Sequence, residues 1–562
     1  MRTLRGLALL MAVCAAPLAA QEQDRQSPGA LDQVVTKIIT RENQEMEVIR
    51  KFSPLVETYI QKVKNKKGSD ESWEPDGDHY FIGRAEFSKG LNLEPIEARN
   101  DHSLRHAILT MNGLFDFGLA YLPKGFLQMI YPDTNGLDAR NYSFAYIRRE
   151  FLGEVRTLVF DVAPAMKAGK GRFMGRIWVE DEGFTIVRFN GSYSGNSDST
   201  REFHFDSWRV NAGPNLWLPA FVYSEGNTSK YLLVGATSSK AQTRLWGYNI
   251  GQAREEQELG RVLIESNEPI IDKSQQNTDL SPVQEARAWA LQGQNNVMDR
   301  LQREGLIAPK GEVDKILDTV ANNLEVTNHL NFDPEVRFRV LMTSTIESFA
   351  MGRTIVLSRG LIDVLPDEAS LAAMIAKELG HVILDPTSTA HFGFYDWMNG
   401  FDEKKTFQHL DFARTKEEDA AASAKAAELL KNSPYRDQLR TAQMFIAELQ
   451  RRSKQIPNLI SPRLGDPVLV RPSVIADSED KPEAHQIVAL PLGGRVKLDP
   501  WDDTLDLLKT KPVGNITERE KMPFEIVPFA LYLTRVASEP PKVSQYMGSP
   551  HPESSAERPH IE

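Results

Sequence analysis

The sequence predicts an α+β fold. An antiparallel half-barrel sheet with a helix comes first, then a mostly helical domain with a short edge sheet, then a small C-terminal extension. Three observations predict it. Between about residues 78 and 250, short runs rich in aromatic and β-branched residues are separated by turn clusters, which is how an antiparallel meander reads. From residue 281 the apolar spacing returns to the period of a helix. And 562 residues are too many for a single core.

Residues 1–20 read as a signal peptide. Arg2 and Arg5 make a short basic region, Leu7 to Ala16 is apolar but shorter than a bilayer span, and Ala19-Ala20 offer small residues for cleavage. That leader places the protein in the periplasm or outside the cell. The single cysteine, Cys14, lies inside it, and Val13 before it is a poor neighbour for lipoprotein processing. The processed chain would then hold no disulfide, no thiolate metal site and no cysteine nucleophile. No later run approaches ~20 uninterrupted apolar residues, so no transmembrane span is expected. Lys and Arg total 66 against 77 Asp and Glu, a net charge of −11 that disfavours nucleic acid as a partner.

Residues 21–250 form the β domain. Residues 30 to 65 read as helix, from Val34, Val35, Ile38 and Ile39 through Leu55, Val56, Tyr59 and Ile60. Six strands follow at Tyr142 to Arg149, Val155 to Val162, Arg172 to Val179, Thr185 to Asn190, Glu202 to Val210 and Trp217 to Tyr223. This order resembles the LolA-type lipoprotein carriers, in which a helix precedes a long sheet whose hollow holds an acyl chain. The resemblance implies a lipid or lipoprotein partner; a structural sheet without a ligand is the other reading.

Residues 251–280 are a polar linker. In the next domain, residues 281–465, helical periodicity covers about 281–326, strands fall at Val336 to Met342 and Thr354 to Leu357, and helices at about 367–384 and 413–431. Residues 466–536 form the C-terminal extension, strand-like at Gln486 to Leu490 and Phe524 to Leu533. Residues 537–562, rich in Pro, Ser, Glu and His, read as a disordered tail.

Chemistry concentrates on the helix that Asp367 can cap. Leu371, Met374, Ile375, Val382 and Ile383 form one apolar arc with Glu378 in its middle. A carboxylate there is either tied to a nearby cation or held as a general base. Lys377 and His381, four apart, share the adjacent edge. A zinc-protease helix reads His-Glu-x-x-His, whose two imidazoles hold the metal; here the string is Lys377-Glu378-Leu379-Gly380-His381.

The surroundings resemble the HtpX and CAAX-prenyl-protease class of zinc peptidases. Ile346 to Leu361 is similar to the family's edge strand and its Asn-Ala-Phe-Ala … Gly … Ile … Val … Gly-Leu pattern. Asp367 to Ala376 resembles the approach to the metal helix, and Lys416-Glu417-Glu418-Asp419-Ala420-Ala421 falls where the family has Glu-x-x-Ala-Asp. The resemblance spans about residues 281–465. It implies zinc as cofactor, Glu378 as general base, His381 and Glu417 as metal ligands, Thr354, Ile355, Val356 and Leu357 as a substrate edge strand, and a polypeptide of the envelope or secreted kind as substrate or ligand. Ala420, Ala421 and Ala424 share Glu417's face and would let the two helices approach.

Four positions depart from the pattern. Lys377 replaces the first ligand, and an ammonium offers a metal no lone pair. Glu347-Ser348 replaces Asn-Ala, Ala421 replaces the Asp, and Leu459 to Arg463 stands where the family carries His-Pro. His391 and His409 are the local histidines that would have to replace the missing ligand. Otherwise the Lys377 ammonium fills the void between Glu378, His381 and Glu417. The expected function is therefore an exported homologue of zinc metalloendopeptidases with weak or absent catalysis, or a non-catalytic binding module for peptide, lipid or lipoprotein.

Overall fold

The computed structural model describes residues 28–65, 73–87, 91–96, 123–194, 201–228, 238–248, 282–384, 412, 414–460, 464, 466–467, 496–499, 504–507, 524–526, 528 and 530–536. The leader with Cys14, the linker 251–280, His391, His409, Gln486 to Leu490 and the tail 537–562 lie outside them.

Helix α1, Pro28–Ile49, forms where Leu31, Val34, Ile38, Met46 and Ile49 repeat at helical spacing and turn toward the interior. It ends before Ser53-Pro54, because a proline biases its predecessor away from helical angles. The expected helix over 30–65 is thus only half helix: Leu55–Asn65 is strand β1. Leu55 and Tyr59 fall in one core and Val56 and Ile60 in the other, the period of two that a strand imposes.

The six expected strands appear as β4, Tyr142–Leu152, β5, Val155–Pro164, β6, Phe173–Glu180, β7, Ile186–Tyr193, β8, Arg201–Gly213, and β9, Leu216–Thr228. With β1, β2 (Trp73–Glu86), β3 (Asn92–Pro95) and β10 (Ser238–Trp246) they make one ten-stranded sheet in the order β3-β2-β1-β10-β9-β8-β7-β6-β5-β4. Every pairing is antiparallel, and β3 and β4 stand at opposite edges, so the sheet is open.

Both faces of this sheet are covered. On one lie α1 and a short helix α2, Pro123–Gln128. Crossing that core, Arg209 of β8 donates from both terminal nitrogens to Glu42 of α1 at 2.7 Å, with both side chains fully buried. Beside them Glu45 accepts from the Trp217 amide. Burial pushes the Glu45 carboxyl up and Arg209 opposes the rise.

The other face packs on the second half of the chain. There α3 (Pro282–Arg303), α4 (Glu312–Thr327), α5 (Arg359–Val364), α6 (Glu368–Leu384), α7 (Lys416–Lys431), α8 (Leu439–Arg452) and α9 (Pro457–Ile460) surround a four-stranded sheet in the order β11-β13-β12-β14. Its strands are β11, Arg337–Leu341, β12, Glu347–Met351, β13, Thr354–Ser358, and β14, Asp466–Pro467; β11 and β13 are parallel and the rest antiparallel. A two-stranded sheet, β15 (Val496–Asp499) with β16 (Thr504–Leu507), follows. Among the described residues no helix is long and apolar enough to cross a membrane.

Buried polar groups join the halves. Asp78 of β2 accepts from the Asn458 and Leu459 amides at the start of α9, at 3.0 and 2.8 Å. Glu57 of β1 accepts from the Ser344 amide and hydroxyl, and the Trp246 indole donates to the Gly305 carbonyl. The described residues of Phe524 to Leu533 form no strand, contrary to expectation, and pack on the first sheet instead.

Truncating Arg209 strands two buried carboxylates. Arg209→Ala should lower the unfolding free energy by about 3–5 kcal/mol in urea titrations, and the double variant Arg209→Met/Glu42→Met by much less. An Arg209→Ala midpoint equal to wild type would show that the pair contributes nothing.

Candidate functional site

Helix α6 starts where predicted. Asp367 accepts from the Ser370 amide at 2.8 Å and so caps it. The helix then runs through protein on every side: from Ala369 to Val382 only Leu371 is more than marginally exposed. Lys377, Glu378 and His381 are 1%, 0% and 3% exposed. The buried polar stretch anticipated around Glu378 is therefore present, and it takes its partners from the flanking elements.

Helix α7 supplies one of them. Its N-terminus is a reciprocal capping box, with Thr415 Oγ1 accepting from the Glu418 amide and Glu418 Oε2 accepting from the Thr415 amide. Holding Glu418 there leaves Glu417 exposed to solvent and turns Asp419 inward. Lys377 Nζ lies 2.6 Å from Asp419 Oδ1, and His381 Nε2 lies 3.8 Å from the same oxygen. Burial works against charge on Asp419. The His381 ring and the Lys377 ammonium outweigh it and hold the carboxyl below its ordinary value.

Glu417 is thus not brought to the cluster, and Asp419 occupies the place expected of it. The alanine face is displaced in the same way: Ala420, Ala421 and Ala424 are exposed with Glu417, whereas Ala422, Ser423, Ala426, Leu429 and Leu430 are buried. The close approach of the helices is real but lies elsewhere. A Cβ added at Gly380 would come within 2.5 Å of the Ala422 carbonyl oxygen. Counting helical turns back from Leu429-Leu430 would have found this face from sequence, as would the Thr415-x-x-Glu418 capping signal.

Glu378 is met from the other side by β12. Ser348 Oγ donates to Glu378 Oε1 at 2.6 Å, a partner that sequence reasoning missed. Neighbouring Glu347 accepts from the Leu464 amide and from Thr345. Thr354, Ile355, Val356 and Leu357 do not form an edge strand. They belong to β13, which pairs with β11 on one side and β12 on the other. The far side of β12 is also covered. There β14 pairs with Glu347 and Ser348, Arg414 donates to the Ala350 carbonyl, and Phe412 stacks on Phe349 with ring centroids 4.6 Å apart. An edge depends on which distant segment pairs beside a strand, and the strand's own residues do not encode it.

Neither comparison yields a relative. No family model matches the chain, and no curated protein does.

Among the described residues the donor set does not fit a catalytic zinc. Such a site needs three deprotonated protein ligands in tetrahedral positions. Here Lys377 stands where the resemblance puts the first ligand, and it is paired with Asp419, the carboxylate nearest His381. Among the described residues no group of three or more His, Cys, Asp or Glu side chains converges as a metal requires. What the arrangement does chemically is pin α6 to α7 by charge.

Asp419 has a depressed pKa, so its contribution to stability is complete above the unfolded value of 3.8 and is lost as pH falls through the lower folded value. Asp419→Asn should cost about 3 kcal/mol at neutral pH, because the buried Lys377 loses its counter-charge. Wild type and variant should draw together only as pH falls below 3.8 and through the lower folded value. Urea midpoints that differ by the same amount from pH 7 to pH 3 would contradict this role.

Proposed function

We propose that the chain is an exported relative of zinc metallopeptidases in which an internal ion pair has replaced the metal, and that it engages envelope or secreted polypeptides with weak or absent hydrolysis. The observation that carries this reading is the Lys377–Asp419 pair at 2.6 Å beside His381, on the two helices where the resemblance puts three zinc ligands. Glu378, which accepts from Ser348, is the residue the resemblance assigns as general base. An ammonium between a carboxylate and an imidazole meets part of the electrostatic demand a metal dication would meet, without its Lewis acidity. A zincin-like arrangement of α6 and α7 beside the β11–β14 sheet belongs to the same proposal, as does export by the leader at residues 1–20.

A non-catalytic binding module is the second reading. For that role polypeptide is favoured over lipid, because Ile38, Met46 and Ile49 of α1 already cover the sheet face that an acyl chain would use.

The test combines metal analysis of chelator-untreated protein with cleavage of casein and of an unfolded peptide. Wild type and Glu378→Gln should both be zinc-free and should show little or no cleavage. Lys377→His restores an imidazole at the first position and should take up zinc toward stoichiometry. Any cleavage it gains should vanish in Lys377→His/Glu378→Gln. Near-stoichiometric zinc in wild type would overturn the reading, as would wild-type cleavage as fast as that of zinc-loaded Lys377→His and abolished by Glu378→Gln.

A further inference from the structure

The two edges of the ten-stranded sheet are guarded unequally. Strand β3, at one edge, has four residues and ends in Pro95; brevity and proline both discourage a further strand. Strand β4, at the other edge, has eleven residues with neither lysine nor proline, and among the described residues it pairs only with β5. Every residue from Ala145 to Arg149 is exposed. Tyr146, Ile147 and Phe151 are 40%, 41% and 65% exposed, so this edge carries apolar side chains in water. Tyr532, 60% exposed, adjoins them: its carbonyl carbon lies 3.0 Å from where a Cβ on Gly153 would stand.

The strand has one irregularity. Its register with β5 shifts between Tyr146 and Arg148, leaving Ile147 as an extra residue. Such a bulge twists the edge and limits how far another strand can follow it. The regular part of β4 therefore runs from Ile147 to the two-residue turn Gly153-Glu154. A turn of this length is closed by a hydrogen-bonded pair, here Leu152 with Val155, so the main-chain groups of Phe151 and Arg149 point away from β5.

This stretch is complementary to itself. Two antiparallel copies related by a two-fold axis through the sheet keep the same face up, so one residue must oppose its own copy. With Arg149 in that place, Arg148 opposes Glu150 of the second copy and Ile147 falls beside Phe151, each twice over. The Arg148–Glu150 pair within each copy, at 2.5 Å, then closes into a ring of four alternating charges. Centring on Arg148 or on Glu150 instead sets like charges together and forms neither pairing. The contact of Arg149 with its own copy is the cost of the favoured register.

We propose that β4 is a self-association edge, through which two copies of the chain pair antiparallel over residues 147–151, centred on Arg149, and join their sheets edge to edge. The charge pattern favours a second copy over an unrelated strand, because one sequence supplies both members of every pair. The proposal is independent of the α6–α7 cluster and of whether that cluster holds zinc.

The test uses the full chain. Sedimentation velocity should show a monomer–dimer equilibrium that depends on concentration. Phe151→Lys should weaken the dimer roughly tenfold or more, and Arg149→Thr, which removes the central repulsion, should strengthen it. Cross-linking reads the register. Cys14 is the single cysteine, so in a Cys14→Ser background an added thiol meets only its own copy. Residues opposed across an antiparallel pair lie about 4.5–5.5 Å apart at Cα, within the roughly 4.4–6.8 Å that a disulfide accepts. Mild oxidation should therefore link Arg149→Cys far faster than Ala145→Cys, which would oppose Gly153. A chain that stays monomeric throughout the micromolar range would overturn the proposal. So would a dimer that Phe151→Lys leaves intact, or Ala145→Cys linking as fast as Arg149→Cys. Should a β4 variant not fold, amide exchange on wild type decides: slower exchange at residues 147–151 as concentration rises supports the pairing, and no change there refutes it.

Discussion

Much of the second half is organised by one constraint: α6 has protein on every side, yet carries Lys377, Glu378 and His381 within five residues. A charge in such a place loses its hydration and must be compensated by neighbours. The compensation comes from two directions. Helix α7 presents Asp419 to Lys377 and His381, and β12 presents Ser348 to Glu378. These partners in turn fix how near the flanking elements lie. The absence of a side chain at Gly380 lets Ala422 come close enough for a lysine side chain to span the gap. The spacing between α6 and α7 is thus set jointly by a missing Cβ and by the reach of an ammonium.

The large sheet faces the complementary demand. Its strands have apolar residues on both surfaces, so each surface must be roofed. One roof is α1 with α2 and the other is the second half of the chain. Polar residues placed within these roofs are tied across the boundary: Glu42 to Arg209, Asp78 to the start of α9, and Glu57 to Ser344. Apolar burial supplies most of the attraction, and these buried bonds specify register, since each is costly to leave unmade.

Elements with local signals were legible in the sequence. Strands β4 to β9 announce themselves by alternation between turn clusters, and α6 by its capping aspartate. Misreadings arose where one spacing served two periods. Val56, Tyr59, Ile60 and Val63 suit a helix and also, two by two, a strand; Pro54 was the feature that separated them. At α7 the sequence held the right phase in Leu429-Leu430 and in the capping box, but the family-like string drew attention to Glu417, two residues from the side chain that reaches His381. Ser348 beside Glu378, and Glu525 beside Lys240, are pairings between positions 30 and 285 apart, respectively. No local pattern encodes contacts of that kind, and only the assembled topology brings them together.

The pairing of β1 with β10 carries a consequence for how the molecule is made. The first strand of the chain lies third in the sheet, between β2 and β10, so the seam between β1 and β10 cannot close until about residue 246 is available. Until then β1 has β2 on one flank and an open row of amides and carbonyls on the other. Gln61 waits longer still, for a segment 463 residues downstream. Such long separations make for slow folding and for early species prone to aggregation. The free flank of β1 and the amide of Gln61 are thus satisfied only by segments made long after them.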